Sequence, residues 1–353
     1  MLYLSLIKVF LISTSAFFIG IAITPILTHW LYHKKMWKKK SGKIAPDGSE
    51  TPIFNELHKD KEVGTPRMGG VVIWGSVLLT ALLFWLLNLI WPDSSKFNFI
   101  SRNQTWLPLF TLLVGSLVGL VDDWMQIKAE TDVKNAGLPF SRRLIIVIIL
   151  GLIGGYWFYF KLGMIAISIP FFGSLILGPL IIPLFILVMI ALFSSGVIDG
   201  LDGLSGGIMA IIFASYTGIA FFQSQFDLAA FCGAVTGGLL AFLWFNIPPA
   251  RFYMSETGIL GLTTALTVVV FLTDSVATLP IIALPLVATV LSVMIQLASK
   301  KLRHGKKVFK VAPLHHHFEA IGWPAYKVVM RYWVIGIIFA VIGLIITLVG
   351  GFK

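Results

Sequence analysis

LPLFTLLVGSLVGLVDDWM, residues Leu107 to Met125, is an apolar run that ends on two adjacent aspartates. Crossing a hydrocarbon core of about 30 Å takes about 20 residues of helix. The uncharged part, Leu107–Leu120, is short for that, so the helix is expected to run on into its acidic end. That reading places Asp122 and Asp123 at the edge of a membrane, where ionisable groups are costly and usually paired or functional.

Nine further apolar blocks support the same reading. They lie near Leu4–Leu27, Gly70–Ile90, Leu144–Phe160, Leu175–Phe193, Gly206–Phe222, Leu228–Phe245, Gly258–Leu272, Leu279–Leu297 and Tyr332–Gly350. The eighth span in chain order, Gly258–Leu272, is also short and is expected to extend. Of the 353 residues, 57% are hydrophobic and 12% charged, against about 25% charged in a soluble domain. Mean hydropathy is +0.91. The expected fold is all-α, a polytopic integral membrane protein of about ten transmembrane helices. The alternating pattern of a membrane barrel is absent. The first span lacks the cationic head and cleavage site of a signal peptide. Cys232 is the single cysteine, so no disulfide framework exists.

Lysine and arginine set the expected orientation. Residues 30–68 hold nine, 122–143 hold four, Arg251 stands alone, and 299–331 hold eight. These alternate loops carry 22 of the 27 basic residues. Positive loops stay in the cytoplasm, so both termini are expected to be extracytoplasmic. The chain reads as one transmembrane domain, 1–353, with inner loops 30–68, 122–143, 194–205, 246–257 and 299–331. The net charge of +11 suits anionic membrane lipid and anionic substrates. A plain topology signal explains most of it, and no nucleic-acid partner is expected.

The chemistry falls on that inner face. Asp122 and Asp123 sit in GLVDDWM, Asp199 and Asp202 in VIDGLDGLSGG, Glu256 in RFYMSETG, and three histidines in PLHHHFE, Pro313–Glu319. A solvated helix end would also explain the paired aspartates. At a helix C-terminus, however, the dipole disfavours anions. Arg142, Arg143 or a metal is expected to offset them. DGLDG could be a simple glycine turn, yet aspartates three apart share a face on a helical turn. Clustered carboxylates with glycine suggest a hard cation, Mg²⁺ first. Glu256 could be a plain helix-start acid, and Asn246 a helix stop before two prolines. Zinc needs ligands converging on one point, whereas consecutive side chains diverge on a helix or strand. The histidines read better as phosphate donors or a proton shuttle, or as incidental members of a basic loop.

GTPRMGG (Gly64–Gly70), VDD (Val121–Asp123), DGLDGL (Asp199–Leu204), NIPPARFYMSETG (Asn246–Gly258) and APLHHHFEAIGWP (Ala312–Pro324) occur in that order. In these motifs the chain resembles the phospho-N-acetylmuramoyl-pentapeptide transferases, within the polyprenyl-phosphate N-acetylhexosamine-1-phosphate transferases. The carboxylate motifs belong to the whole superfamily; PLHHHFE followed by GWP points to the muramoyl-pentapeptide branch. The resemblance covers nearly the whole chain.

The resemblance implies a bacterial cytoplasmic-membrane enzyme with its site facing the cytoplasm. It implies Mg²⁺, undecaprenyl phosphate and UDP-N-acetylmuramoyl-pentapeptide as partners, and a homodimer. It places Glu256 and Asp199 at the metal, and Asp122 as base or nucleophile with Asp123 in support. Asp199 and His315 complete the catalytic set. Leu201, Tyr253 and Gln296 align with uracil-contacting positions, Asp202 lies near the uridine, and Asn246, His316 and His317 belong to substrate binding. Three departures from the family pattern stand out. Gln126 replaces a lysine, Gly196 an asparagine, and Met254-Ser255-Glu256 the triplet MGD, so that Ser255 stands for a glycine and Glu256 for an aspartate.

Two other readings remain: a UDP-N-acetylglucosamine-type transferase of the same superfamily, and a divalent-metal or proton-coupled transporter. A transporter should hold its acids near mid-membrane in broken helices, and here they cluster at one face.

The topology is testable by single-cysteine labelling in a Cys232→Ala background. Cysteines placed at Lys38, Asp199, Glu256 and His316 are all expected to label from the cytoplasmic side only. Labelling of any one of them from outside breaks the common site.

Overall fold

A computed structural model describes residues 2–39, 63–101, 103–129 and 137–351. The middle of the 30–68 loop and part of the 122–143 loop lie outside the described residues. Ten helices are long and apolar enough to span a membrane. They are α1 (Leu2–His33), α2 (Val71–Ile90), α3 (Trp106–Lys128), α4 (Phe140–Tyr156), α5 (Ile181–Ser194), α6 (Leu204–Phe222), α7 (Phe226–Asn246), α8 (Ser255–Leu272), α10 (Leu284–Leu302) and α12 (Ala325–Gly351). α4 and α5 reach spanning length together with the short helical turns that adjoin them. Two short helices lie between spans, α9 (Leu279–Ile282) and α11 (Leu314–Ala320).

The two short spans extend as expected. α3 continues through Asp122 and Asp123 to Lys128, and α8 starts at Ser255. The expectation of an all-α chain needs one correction. Ala166–Ile169 (β1) and Gly173–Ile176 (β2) form an antiparallel hairpin, with Ala166 opposite Ile176 and Ile169 opposite Gly173. Leu175 therefore belongs to a strand rather than to the fifth span. The hairpin is apolar enough to read as the start of the next helix. Its Ser168 donates from both N–H and hydroxyl to Asp274, just beyond α8.

α8 is the centre of the bundle. Of its apolar window 89% is buried, against 22% for α12. Against it packs α3, through Gly115 and Gly119 on one side and Gly261 on the other. A Cβ on Gly119 would stand 2.1 Å from the Glu256 carbonyl oxygen, and one on Gly261 2.0 Å from Ser116 Oγ. Small residues four apart let backbones approach in this way where no hydrophobic force drives helices together. Thr264 Oγ1 of α8 also donates to Thr111 O of α3 at 3.0 Å. The same device joins α7 to α1, where a Cβ on Gly237 would meet Ser13 O at 2.1 Å.

The two ends of the bundle differ. At one end Lys8 of α1 pairs with Asp227 of α7 and donates to Asn98 O at 2.8 Å. At the other end lie the C-termini of α3, α5 and α7 and the N-termini of α6 and α8. That end carries the acidic motifs.

Candidate active site

The start of α8 collects the carboxylates. A helix N-terminus leaves N–H groups without intrahelical partners and carries positive potential. Asp123, with no exposed surface, accepts from Thr257 N–H at 2.9 Å and from Thr257 Oγ1 at 2.6 Å. Asp199 accepts from Ser255 N–H at 2.9 Å and from Ser205 Oγ at 2.7 Å. Two acids from separate segments thus occupy the first turn of one helix. The close α3–α8 approach at Gly119 is what brings Asp123 within reach.

Two arginines offset part of the charge. Arg67, in GTPRMGG, reaches Asp123 Oδ1 with Nε at 3.1 Å and Nη2 at 3.0 Å. Burial works against its charge, but Asp123, Glu256 and Asp199 outweigh that and raise its pKa above the usual arginine value. Arg143, near the start of α4, pairs with Glu256 and stands 3.6 Å from Asp122 Oδ2. Asp122 is further held by Gln126 Nε2 at 2.9 Å and by Leu138 N–H. Gln126, at the position where the family pattern has lysine, therefore donates but brings no charge. Of the expected offsetting cations, Arg143 takes the role and Arg142 is exposed.

The turn Asp199–Gly203 is the hub between this cluster and the rest. Asn246 at the end of α7 accepts from Gly203 N–H at 2.9 Å and donates to Phe252 O at 2.9 Å. Ala250 N–H donates to Asp202 Oδ2 at 3.3 Å, and Leu201 is buried. Tyr253 joins its loop to the 64–70 segment, donating its N–H to Pro66 O and accepting from Gly69 N–H. Gly200 faces the histidines. A Cβ there would lie 2.5 Å from His315 Nε2 and 2.8 Å from His316 Nε2.

On α11 the histidines do not all diverge. His315 and His316 are buried, with ring centroids 4.3 Å apart, because both lean on the same turn. His316 also pairs with Glu319 at 2.7 Å. His317 turns away, accepting from Lys310 N–H at 3.2 Å and lying edge-on to Phe309. Gln296 is bonded to a loop rather than to the carboxylates. Its amide closes the 306–310 loop, accepting from Val308 and Phe309 N–H and donating to Phe309 O at 2.9 Å.

Among the described residues no three His, Cys, Asp or Glu side chains form a ready-made metal site. The donor chemistry still fits a hard cation. Asp122 and Glu256, from different helices, already share one cation, the Arg143 guanidinium. Mg²⁺ commonly takes one or two carboxylates and completes its shell with substrate phosphates and water.

Sequence reasoning missed Arg67, Ser205, Ser255 and Thr257. Only Arg67 left a signal, as the one charge inside an otherwise uncharged glycine motif. Ser255 has φ +57, a left-handed conformation that costs a non-glycine residue about 1–2 kcal/mol.

Polar groups drawn to one end of an apolar bundle make a candidate membrane-embedded active site, and the relatives of the chain give its class as a transferase. Residues 105–274, which contain Asp122, Asp123, Asp199, Asp202 and Glu256, match the family model described as glycosyl transferase family 4. The Bacillus mycoides phospho-N-acetylmuramoyl-pentapeptide-transferase is 37% identical over 340 residues, covering 94% of this chain and 95% of the relative. The proteins of that name from Thermodesulfovibrio yellowstonii and a Geobacillus species are 33% and 34% identical, again over 94% of this chain and over 90% and 95% of their own. The chain belongs to the phospho-N-acetylmuramoyl-pentapeptide-transferase family.

The two neighbouring arginines give a sharp test. Arg143→Gln leaves Asp122 and Glu256 without their shared cation and is expected to cost roughly 2 kcal/mol, the scale of a buried charge losing its partner. Arg142→Gln should be silent. The readout is the melting temperature of the detergent-purified protein without added divalent cation. Equal melting of the two variants contradicts the pairing.

Proposed function

We propose that this protein transfers phospho-N-acetylmuramoyl-pentapeptide from its UDP conjugate to undecaprenyl phosphate, releasing UMP and leaving lipid I for peptidoglycan synthesis, and so for cell shape and division. The observation that carries the reading is the meeting of Asp122, Asp123, Asp199 and Glu256 at one end of an apolar bundle, in a chain whose relatives bear that name over nearly their whole length.

A phosphate oxygen of the lipid forms a bond to the β-phosphorus of the UDP conjugate. The bond from that phosphorus to the bridging oxygen breaks, and UMP leaves with it. One anhydride replaces another, so no further energy source is needed. The second pKa of a phosphate monoester is about 6, so the attacking lipid phosphate is mostly dianionic at pH 7. A strong base is then unnecessary. Asp122 is already held by Gln126, Leu138 and Arg143, which supports charge positioning over nucleophilic attack by its carboxylate. Mg²⁺ would be held by Glu256 with Asp199 or Asp122, and would supply positive charge to the diphosphate. His315 and His316 donate to phosphate beside Gly200. Asp202, Leu201, Asn246, Tyr253, Gln296 and His317 serve the nucleoside and sugar side; for Gln296 this requires its hold on the 306–310 loop to loosen.

The site is proposed to face the cytoplasm from a bacterial inner membrane, with both termini outside. The basic loops support this, since they adjoin the carboxylate end. The exposed apolar faces of the outer helices suit the lipid tail, and a homodimer follows from the family.

UMP release by purified protein, with polyprenyl phosphate, Mg²⁺ and either the UDP-muramoyl-pentapeptide or UDP-N-acetylglucosamine, tests the reading. Release from the first and not the second is expected. In the same assay Glu256→Gln should lower turnover by something on the order of 10²–10³, the scale of losing one key electrostatic stabiliser, and weaken apparent Mg²⁺ affinity. Glu256→Asp should retain more activity, because its charge survives. If Glu256→Gln matches the parent at every Mg²⁺ concentration, Glu256 is only a helix-start acid.

A further inference from the structure

Ser255 does none of the work a serine at a helix start ordinarily does. Its hydroxyl caps no N–H of α8. It is not turned to solvent, since the residue is 5% exposed. Its Oγ has no hydrogen-bond partner among the described residues. Its backbone sits at φ +57, where glycine would be free of strain. A Cβ kept at such a position needs a reason, and packing alone would be served by a smaller residue. Buried hydroxyls are normally hydrogen-bonded, and exceptions cluster where function needs them.

Its surroundings suggest the partner. The N–H of Ser255 holds Asp199, the next residue pairs with Arg143, and Arg67 reaches Asp123 on the following turn position. The serine is therefore buried at the start of α8, in a turn whose backbone and next residues hold the carboxylate–cation pairs. Asp199 and Asp123 already take the first N–H groups of α8, so a phosphoryl group arriving with its own cation needs a donor that the protein's acids have not used. An O–H aimed at such an anion donates without bringing a further charge.

We propose that the Ser255 hydroxyl is a binding group for a phosphoryl oxygen of the substrates, donating a hydrogen bond that its strained backbone holds ready. The proposal rests on the transferase reading and deepens it. Two phosphates could be the acceptor, the diphosphate of the UDP conjugate or the monoester of the lipid.

The test compares the full-length parent with Ser255→Gly, which relieves the left-handed backbone, and Ser255→Ala, which retains the strain. Three quantities are measured: melting temperature, KM and kcat for each substrate in UMP release, and the melting shift caused by UDP or by polyprenyl phosphate alone. Ser255→Gly should melt no lower than the parent and yet lose about tenfold in kcat/KM, the scale of one hydrogen bond to a charged group. Ser255→Ala should lose as much and melt lower than Ser255→Gly, because it keeps the strained Cβ. A rise in KM and a smaller melting shift confined to the UDP compound assign the diphosphate; the same confined to polyprenyl phosphate assign the lipid. Parent-like kinetics and ligand shifts in Ser255→Gly overturn the proposal. If the parent itself releases no UMP, the transferase reading fails. The ligand-induced melting shifts still decide the serine, since equal shifts in parent and glycine variant reject it.

Discussion

Asp123 is a carboxylate with no exposed surface, and the active end is arranged around its burial. It lies at the end of one membrane helix, bonded to the N–H and hydroxyl of Thr257 at the start of another and to the guanidinium of Arg67 from a third segment. An isolated charge in such a place is prohibitive. The three partners make it tolerable only if α3, α8 and the 64–70 segment hold one relative position. Gly119 permits that position, because any side chain there would collide with the Glu256 backbone. The packing of two helices and the charge balance of the site are therefore one requirement.

The same logic extends outward. α8 offers its N-terminal N–H groups to Asp123 and Asp199, so the helix dipole that would attract substrate anions is partly occupied by the protein's own acids. Arg143 in turn occupies the place between Asp122 and Glu256. The resting site is partly neutralised from within, two arginines standing against four acids. On the proposed reaction, an arriving diphosphate with its cation would trade places with these internal pairs. The pairing with Arg143 accounts for Glu256 at a position where a shorter acid is usual: the longer side chain is the one that meets it.

Much of this was legible in the sequence. Apolar run length fixes the spans, since of the two structures that satisfy backbone hydrogen bonds in lipid, helix and closed barrel, only the helix needs runs of about 20 residues. The acids at the run ends marked the face of the site. The hairpin was read through because Ile165–Ile176 continues the apolar character of α5, although Pro170 and Gly173 about its turn were a signal that could have found it. Arg67 and Ser255 were hidden for a different reason. Their roles depend on which helices touch, and neighbours in space leave no periodicity in the chain. The histidine run lay between these cases. Its location was readable, but the convergence of His315 and His316 depends on the absence of a side chain at Gly200.

The most direct test of the account is a double-mutant cycle between Arg67 and Asp123, read as unfolding free energy in mixed micelles for Arg67→Gln, Asp123→Asn and the pair. The account predicts that each single change is strongly destabilising and that the double variant loses less than their sum, by at least about 1 kcal/mol, as expected for residues in one buried network. Losses that add to within about 0.5 kcal/mol, the behaviour of independent sites, would mean that Asp123 does not hold these segments together.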